Sequence, residues 1–415
     1  MNPKHLAIAD FIYHLPANKI AVHPLPERDQ SKLLIYKNEE IKSDIYKNLA
    51  NYISENSLLI FNNTKVIQAR ILFTKSSGGV IEFFCLEPVE LNNDFALVMN
   101  KTKRVQWKCM IGGAGKWKGG QLEKKIYIEE IEVNLKVELK KKITDSYVAE
   151  FSWYPAYFTF AEVIEKAGEI PLPPYIKRKI NEEDKDRYQT IYANQHGSVA
   201  APTAGLHFTE AVFSSLKNKE IKTDFITLHV GAGTFKPVKA TMLADHQMHA
   251  EYMEITITII ENILSNPERN IIAAGTTSAR TLESIYWMGV KTFLRPDIDE
   301  EDLSIKQWEV YEFPLAQQSV DIKTALQSLI NRIKKNSKEK LFIKTQIIIT
   351  PGYQFRIIKA LITNFHQPGS TLLLLIAAAA GDNWKKIYDY ALENDFRFLS
   401  YGDGCIIYLN SPSIS

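Results

Sequence analysis

Residues 125–139 read KIYIEEIEVNLKVEL. Apolar and polar side chains alternate along this run, so every second residue can face a core while its neighbours face water. That is the pattern of a strand, not of a helix. Similar β-rich runs surround it: VIEFF (80–84), FALVM (95–99), VQWKCMI (105–111) and YVAEFSW (147–153), broken by clusters of Gly and Asn. Short strands at this spacing predict a small all-β barrel or sandwich over residues 66–152.

Outside that stretch the pattern changes. Residues 1–65 mix short strands and loops, with a strand over 57–61 and a turn at Asn62–Asn63. From residue 153 the chain becomes mixed. Thr159 and Glu162 form a capping box ahead of a helix over 160–167, which Gly168 stops. FITLHV (225–230), NIIAAG (270–275) and RIIKALI (356–362) are predicted strands between helical stretches, and residues 372–380 a buried helix. The expected fold class is α/β. A large mixed α/β domain, residues 1–65 and 153–415, carries a smaller inserted all-β barrel-like domain, residues 66–152. Residues 290–346 read as an extra module of the large domain. The segment opens on DIDEED (297–302) and then places Ile322, Ala325, Leu326, Leu329, Ile330 and Ile333 on one helix face.

Composition sets the class limits. The 415 residues are 45% hydrophobic and 24% charged, which excludes collagen-like, disordered and disulfide-stapled chains. Lys and Arg total 50 against 48 Asp and Glu, a net of +2, so overall charge does not mark a nucleic-acid binder. Locally, residues 101–142 hold 12 Lys/Arg against 5 Asp/Glu, an excess of +7 that suits either an RNA-backbone patch or a solvated β surface. Cys85, Cys109 and Cys405 are too few and scattered for a disulfide framework, so reduced thiols and a cytoplasmic location are expected. The most apolar run, Leu372 to Ala380, falls far short of the roughly 20 residues that span a bilayer. The N-terminal MNPKHLAIADFIYHLP lacks a signal-peptide core, and no membrane association is expected.

Five clusters of small and polar residues follow predicted strands or loops, where α/β proteins bind ligands. Ala201–Phe208 (APTAGLHF) precedes a helix near Thr209, so its kinked loop offers amides to an anion; it equally suits a capping loop with a structural histidine. His229–Phe235 (HVGAGTF) has glycines close enough for a ligand to approach the backbone. Lys236-Pro237 follows, so no helix starts where a dinucleotide needs one, which argues against a Rossmann cofactor. Asp245–Glu251 (DHQMHAE) sets two histidines among carboxylates, as acid–base groups or metal ligands. A catalytic zinc usually needs three protein ligands and no third lies nearby, so a metal-free protein is expected. Gly275–Arg280 (GTTSAR) stands at a strand-to-helix junction. Its hydroxyls are expected to cap the helix, its amides to hold a carboxylate or phosphate, and Arg280 to clamp it; a surface arginine is the plainer alternative. In Thr363–Thr371 (TNFHQPGST), Asn364 and His366 project from a strand end before the buried helix.

Together with other strings these clusters resemble, in order, the S-adenosylmethionine:tRNA ribosyltransferase-isomerase family of queuosine biosynthesis. The matching segments include RDQSKLL (28–34), FNNTKVIQAR (61–70), IPLPPYIKR (170–178), GSVAAPTAGLHF (197–208), LHVGAGTFKPV (228–238), DHQMHAEY (245–252), GTTSARTLES (275–284), LITNFHQPGSTLL (361–373) and FRFLSYGDG (396–404). The resemblance implies that the ribosyl group of S-adenosylmethionine moves to preQ1 at the tRNA wobble position. There it becomes the epoxycyclopentane of epoxyqueuosine, and adenine and methionine leave. It implies a large α/β domain carrying a β-barrel domain. S-adenosylmethionine is then a substrate, with no metal or other cofactor, and preQ1-containing tRNA is the partner. A monomer is expected.

The chemistry asks for a base near an acidified C5′–H, a donor toward adenine, and a seat for the methionine carboxylate. His366, Asp245, His246, His249, His207 and His229 are the catalytic candidates, and the residues leave open which histidine is the base. Thr203, Gly205, Gly231, Gly233, Thr234, Thr276, Thr277, Ser278, Arg280 and Asn364 are the binding candidates. The chain departs from the family pattern at Gln68, Lys359, Phe396, Gly404 and Cys405. The alternative reading is therefore a paralogue that binds S-adenosylmethionine or RNA with an altered acceptor or without turnover.

Overall fold

The structure is a computed structural model that describes residues 2–89, 95–117, 119–231, 233 and 240–409. Its larger sheet has nine strands. In spatial order they are Lys340–Thr345, Glu251–Thr256, Lys222–His229, Ser57–Asn62, Asn270–Ala274, Ala360–Asn364, Gly404–Tyr408, Lys32–Lys37 and Glu40–Ile45. The four strands from Lys222–His229 to Ala360–Asn364 run parallel to one another. Parallel strands are joined by crossovers that cover both faces of a sheet, so they must be apolar on both sides. Ser57–Asn62 is the clearest case, with all its residues buried.

The second sheet is antiparallel throughout, in the order Gly168–Glu169, Arg70–Thr74, Val80–Pro88, Arg104–Gly112, Tyr147–Tyr154, Ile131–Lys142 and Leu122–Ile128. It curls until Arg70–Thr74 meets Leu122–Ile128. The alternation read in the sequence is what closes it. Ile81, Phe83, Cys85, Val105, Trp107, Val133, Leu135 and Val137 all point into one core. The Phe160–Ala167 helix adds Phe160 to that core, 5.5 Å from the Trp107 ring. Its capping box forms as expected, with the Thr159 amide donating to Glu162 at 2.7 Å and the Glu162 amide donating to the Thr159 hydroxyl at 3.3 Å. The observed class is thus mixed α/β with a curled antiparallel sheet.

Two expectations are corrected. FALVM is not a strand but the helix Phe95–Met99, which buries Phe95, Val98 and Met99 at helical spacing. A five-residue apolar run carries no period long enough to separate the two states. RIIKALI forms a strand only from Ala360. Before it, the amides of Arg356, Ile357 and Ile358 all donate to the buried carboxylate of Glu283, as does the Tyr353 hydroxyl. Those donors serve a side chain, so the segment cannot pair as a strand.

The segment 290–346 begins inside the helix Thr276–Leu294 and ends in the edge strand Lys340–Thr345. Its amphipathic helix, Ile322–Lys335, buries Ala325, Leu326, Leu329, Ile330 and Ile333 as read, with Ile322 half-buried. It packs on Thr276–Leu294 so closely that a Cβ on Gly289 would lie 2.3 Å from the Ala325 carbonyl oxygen.

Candidate active site

The parallel strands Asn270–Ala274 and Ala360–Asn364 end side by side, and three adjoining clefts open beyond them. Glu251 lines all three.

The first cleft gathers Thr203, Thr276, Thr277, Arg280, Asn364 and His366 from three distant segments. Strand Asn270–Ala274 turns through Gly275, at φ +99°, into the helix Thr276–Leu294. The expected hydroxyl cap is absent: that helix has no side-chain cap, and Ser278 donates instead to the Ala274 carbonyl at 2.8 Å. The leading amides therefore have no acceptor within the helix and carry its positive end toward the cleft. Arg280 is not a surface arginine. It is buried; its Nε donates to the Ile347 carbonyl at 3.1 Å and its Nη1 to Glu251. Its Nη2 and the nearby Thr277 hydroxyl are buried with no partner among the described residues. Unpaired buried donors are costly, and two of them lining one cleft mark a place for an anionic or polar ligand.

Asn364 ties this cleft to the core below. Its Oδ1 accepts from the Thr203 hydroxyl at 2.7 Å, and its Nδ2 donates to His207 Nε2 at 3.3 Å. His207 does not line the cleft; its ring rests on Tyr46 with centroids 4.5 Å apart. Burial pushes its pKa down to about 3. Gly205 and Ser278 are also buried beneath, and a Cβ on Gly205 would strike the Tyr192 hydroxyl at 2.0 Å. His366 does reach the cleft wall. Its Nε2 lies 2.8 Å from the Thr363 hydroxyl, and its amide donates to the Tyr388 oxygen at 3.0 Å. Burial brings it too to about 3, so at neutral pH it is an uncharged imidazole.

The second cleft lies between the two sheets. His229, Gly231, Gly233 and His249 line it with Glu251. The His229 ring stacks on Phe95, centroids 4.3 Å apart, and its Nδ1 is 3.1 Å from the Thr64 hydroxyl. Burial lowers its pKa to about 3. Gly197, at φ +146°, makes that packing fit: a Cβ there would lie 2.5 Å from Phe95. The third cleft, of about 560 Å³, is lined by Asp245, His246 and His249, and by Arg280 as well. The His246 segment is extended rather than helical, and Gln307 fixes it by donating to the His246 carbonyl at 2.8 Å and accepting from the Met248 amide at 2.9 Å. Burial, then the charge of His249, lowers the His246 pKa. Among the described residues no group of three His, Cys, Asp or Glu is placed to hold a metal ion.

The catalytic candidates Asp245 and His246 do not share a cleft with His366. They line neighbouring clefts that share Gln367, Ser370 and Leu372. Thr234 lies outside the described residues. Glu251 and Phe95 were not among the sequence candidates. Glu251 stood in the DHQMHAE string, but its buried partner Arg280 is 29 residues away, and Phe95 was hidden in the run misread as a strand. Gln68, Lys359, Phe396, Gly404 and Cys405 line none of the three clefts.

A family model described as queuosine biosynthesis protein matches residues 8–407. An S-adenosylmethionine:tRNA ribosyltransferase-isomerase of Thermoanaerobacter sp. (strain X514) is 36% identical over 405 residues, covering 96% of this chain and 99% of that one. The protein of the same name from Caldanaerobacter subterraneus subsp. tengcongensis is 36% identical over 408 residues, with the same coverage. The crystal structure of an S-adenosylmethionine tRNA ribosyltransferase from Thermotoga maritima is 24% identical. It covers 96% of this chain and 99% of that one, with a TM-score of 0.45.

Proposed function

The chain belongs to the queuosine biosynthesis protein family, and from that premise we propose that it is an S-adenosylmethionine:tRNA ribosyltransferase-isomerase. It moves the ribosyl group of S-adenosylmethionine to preQ1 at the wobble position of tRNA and leaves epoxyqueuosine, adenine and methionine. Kinship at 36% identity over 96% of the chain to proteins of that name carries this reading. S-adenosylmethionine is a substrate, and no metal or other cofactor is needed. The enzyme acts as a cytoplasmic monomer. No helix of the described residues is long and apolar enough to cross a membrane.

The first cleft suits the donor. The methionine carboxylate takes the unpaired Arg280 Nη2, the Thr277 hydroxyl and the leading amides of the Thr276–Leu294 helix. The sulfonium acidifies the adjacent C5′–H, and a base removes that proton to give the ylide. His229 and His366, each held uncharged by burial, serve as bases or hydrogen-bond partners rather than as proton donors at pH 7. Glu251, on the wall common to all three clefts, stands where donor and acceptor meet. The residues that depart from the family pattern lie off these clefts, which favours the orthodox reaction over a paralogue's.

Incubation with preQ1-containing tRNA and S-adenosylmethionine tests the reading. Adenine and methionine should be released as the tRNA gains the modified base. Binding without release would favour the paralogue, and loss of turnover with a chelator would return a metal to the mechanism.

A further inference from the structure

The main chain and the ring of His366 are both fixed by named partners. Its carbonyl accepts from the Tyr13 hydroxyl at 2.5 Å, and its amide donates to the Tyr388 oxygen at 3.0 Å. Those two tyrosine rings pack edge to face with centroids 5.0 Å apart, so residues from opposite ends of the chain hold one backbone position. On the ring, Nε2 lies 2.8 Å from the Thr363 hydroxyl, and that hydroxyl lies 3.4 Å from the Asn364 carbonyl, which only accepts. A Thr363 proton given to the carbonyl leaves the Thr363 oxygen to accept from Nε2–H, and both contacts are then hydrogen bonds. A Thr363 proton given to Nε2 forfeits the carbonyl contact. The arrangement that uses both places the ring proton on Nε2 and the lone pair on Nδ1. Nδ1 makes no hydrogen bond among the described residues and is not sealed from solvent, and the ring lines the first cleft.

The other titratable groups around that cleft are committed. The Glu251 carboxylate is paired with Arg280 and accepts from the Gly231 amide at 3.4 Å. Burial raises the Tyr175 hydroxyl to about 12 and raises the Tyr188 hydroxyl as well, so both keep their protons at pH 7. His229 lines the second cleft and not the first. We propose that Nδ1 of His366 is the base that takes the C5′ proton of S-adenosylmethionine, and that Thr363 is the positioning residue that keeps the lone pair on that nitrogen. The C5′–H bond breaks, its electron pair stays on carbon beside the sulfonium as the ylide, and a new N–H bond forms at Nδ1. The neutral ring becomes an imidazolium, and its Nε2–H still donates to Thr363. The assignment rests on the proposed function and adds to it which histidine acts, through which nitrogen, and what sets its tautomer.

Thr363→Val keeps the shape of the side chain and removes the hydroxyl, and Thr363→Ser keeps the hydroxyl. Adenine release with preQ1-containing tRNA is measured on the wild type and both variants, using S-adenosylmethionine with hydrogen or deuterium at C5′, together with the Kd of S-adenosylmethionine and thermal melts. Thr363→Val should lower turnover at least about 10-fold, as when a base loses the group that sets its tautomer, with the Kd within about twofold. Its slowed turnover should show a primary deuterium isotope effect at C5′, and Thr363→Ser should recover most of the rate. A Thr363→Val enzyme of near wild-type rate overturns the assignment, and so does a slow one with no isotope effect, since its slow step is then not proton removal. Should Thr363→Val melt early, His366→Gln decides: turnover lost at least about 100-fold with the Kd kept supports the base, and near wild-type turnover overturns it. A wild type that binds both substrates but releases no adenine defeats the underlying function first.

Discussion

At the residue scale, Arg280, His207, His229 and His366 are charged or titratable side chains that the fold buries. Arg280 holds Glu251 and the Ile347 carbonyl, and its Nη2 is buried with no partner among the described residues. A lysine keeps the charge but cannot reach in three directions from one plane. Arg280→Lys should therefore weaken S-adenosylmethionine binding roughly 10-fold or more, read by calorimetry, with the fold retained. An unchanged Kd would move the carboxylate elsewhere. Removing the Asp245 or His366 side chain should lower turnover by at least about 100-fold with melts near wild type, within the range of general acid–base groups. A His366→Ala enzyme of near wild-type rate would leave that imidazole only as the anchor of its turn through Thr363.

His207, His229 and His366 also predict how stability depends on pH. Burial holds each folded pKa near 3, below the 6.5 of the free side chain. The unfolded chain therefore binds protons that the folded one does not. Their contribution is fully present above about pH 6.5 and is lost as pH falls from there toward 3. Each group adds about 1.4 kcal/mol per pH unit within that window. Denaturant melts between pH 7 and 4.5 should show the slope, and His207→Gln should flatten it by about one proton. A slope the substitution does not change would contradict the burial of His207 as an uncharged ring.

At the scale of elements, one close crossing and one side-chain-held loop decide the packing. The Thr276–Leu294 and Ile322–Lys335 helices touch at Gly289, where a methyl group has no space. Gly289→Ala should cost about 1–3 kcal/mol in chemical denaturation, since neither helix backbone can give way without repacking its neighbours. A neutral outcome would mean that the crossing is loose. The shift of the last central strand to Ala360–Asn364 is the other case. RIIKALI has the apolar character of a strand, but Glu283, 73 residues earlier, takes the amide of Arg356. Spacing along the chain cannot reveal such a competitor.

For the whole molecule, the question is where the tRNA backbone lies. Of the +7 excess over 101–142, carboxylates from outside the segment, Glu87 and Glu150, offset only two charges. Lys108 pairs with Glu87, Lys125 with Glu132, Lys136 with Glu123, and Lys140 with Glu138 and Glu150. Lys141 and Lys142 remain exposed at the end of their strand. Reversing the charge of those two should weaken tRNA binding and lower the slope of log K against log salt by about 2. An unchanged slope would return them to the solvated surface.

The sequence by itself determined the periodic parts of this protein. Alternation in 125–139 determined the strand character of that run, though not the turn at Glu129–Glu130 that divides it into Leu122–Ile128 and Ile131–Lys142; the i, i+3, i+4 spacing of 322–333 determined the packing helix, and Thr159 with Glu162 the capping box. Each is local, so neighbours in the chain suffice to specify it. It also pointed to strand-end residues that lie together, Thr203, Thr276, Arg280, Asn364 and His366, because small and polar side chains after apolar strands have few other reasons to be there. Only the tertiary structure decided that Arg280 is buried against Glu251, that His207 lies under the cleft rather than in it, and that Phe95 backs the cleft between the sheets. Burial, pairing of distant charges and the pKa shifts they cause depend on what the fold brings alongside a residue, and that information is spread over the whole chain.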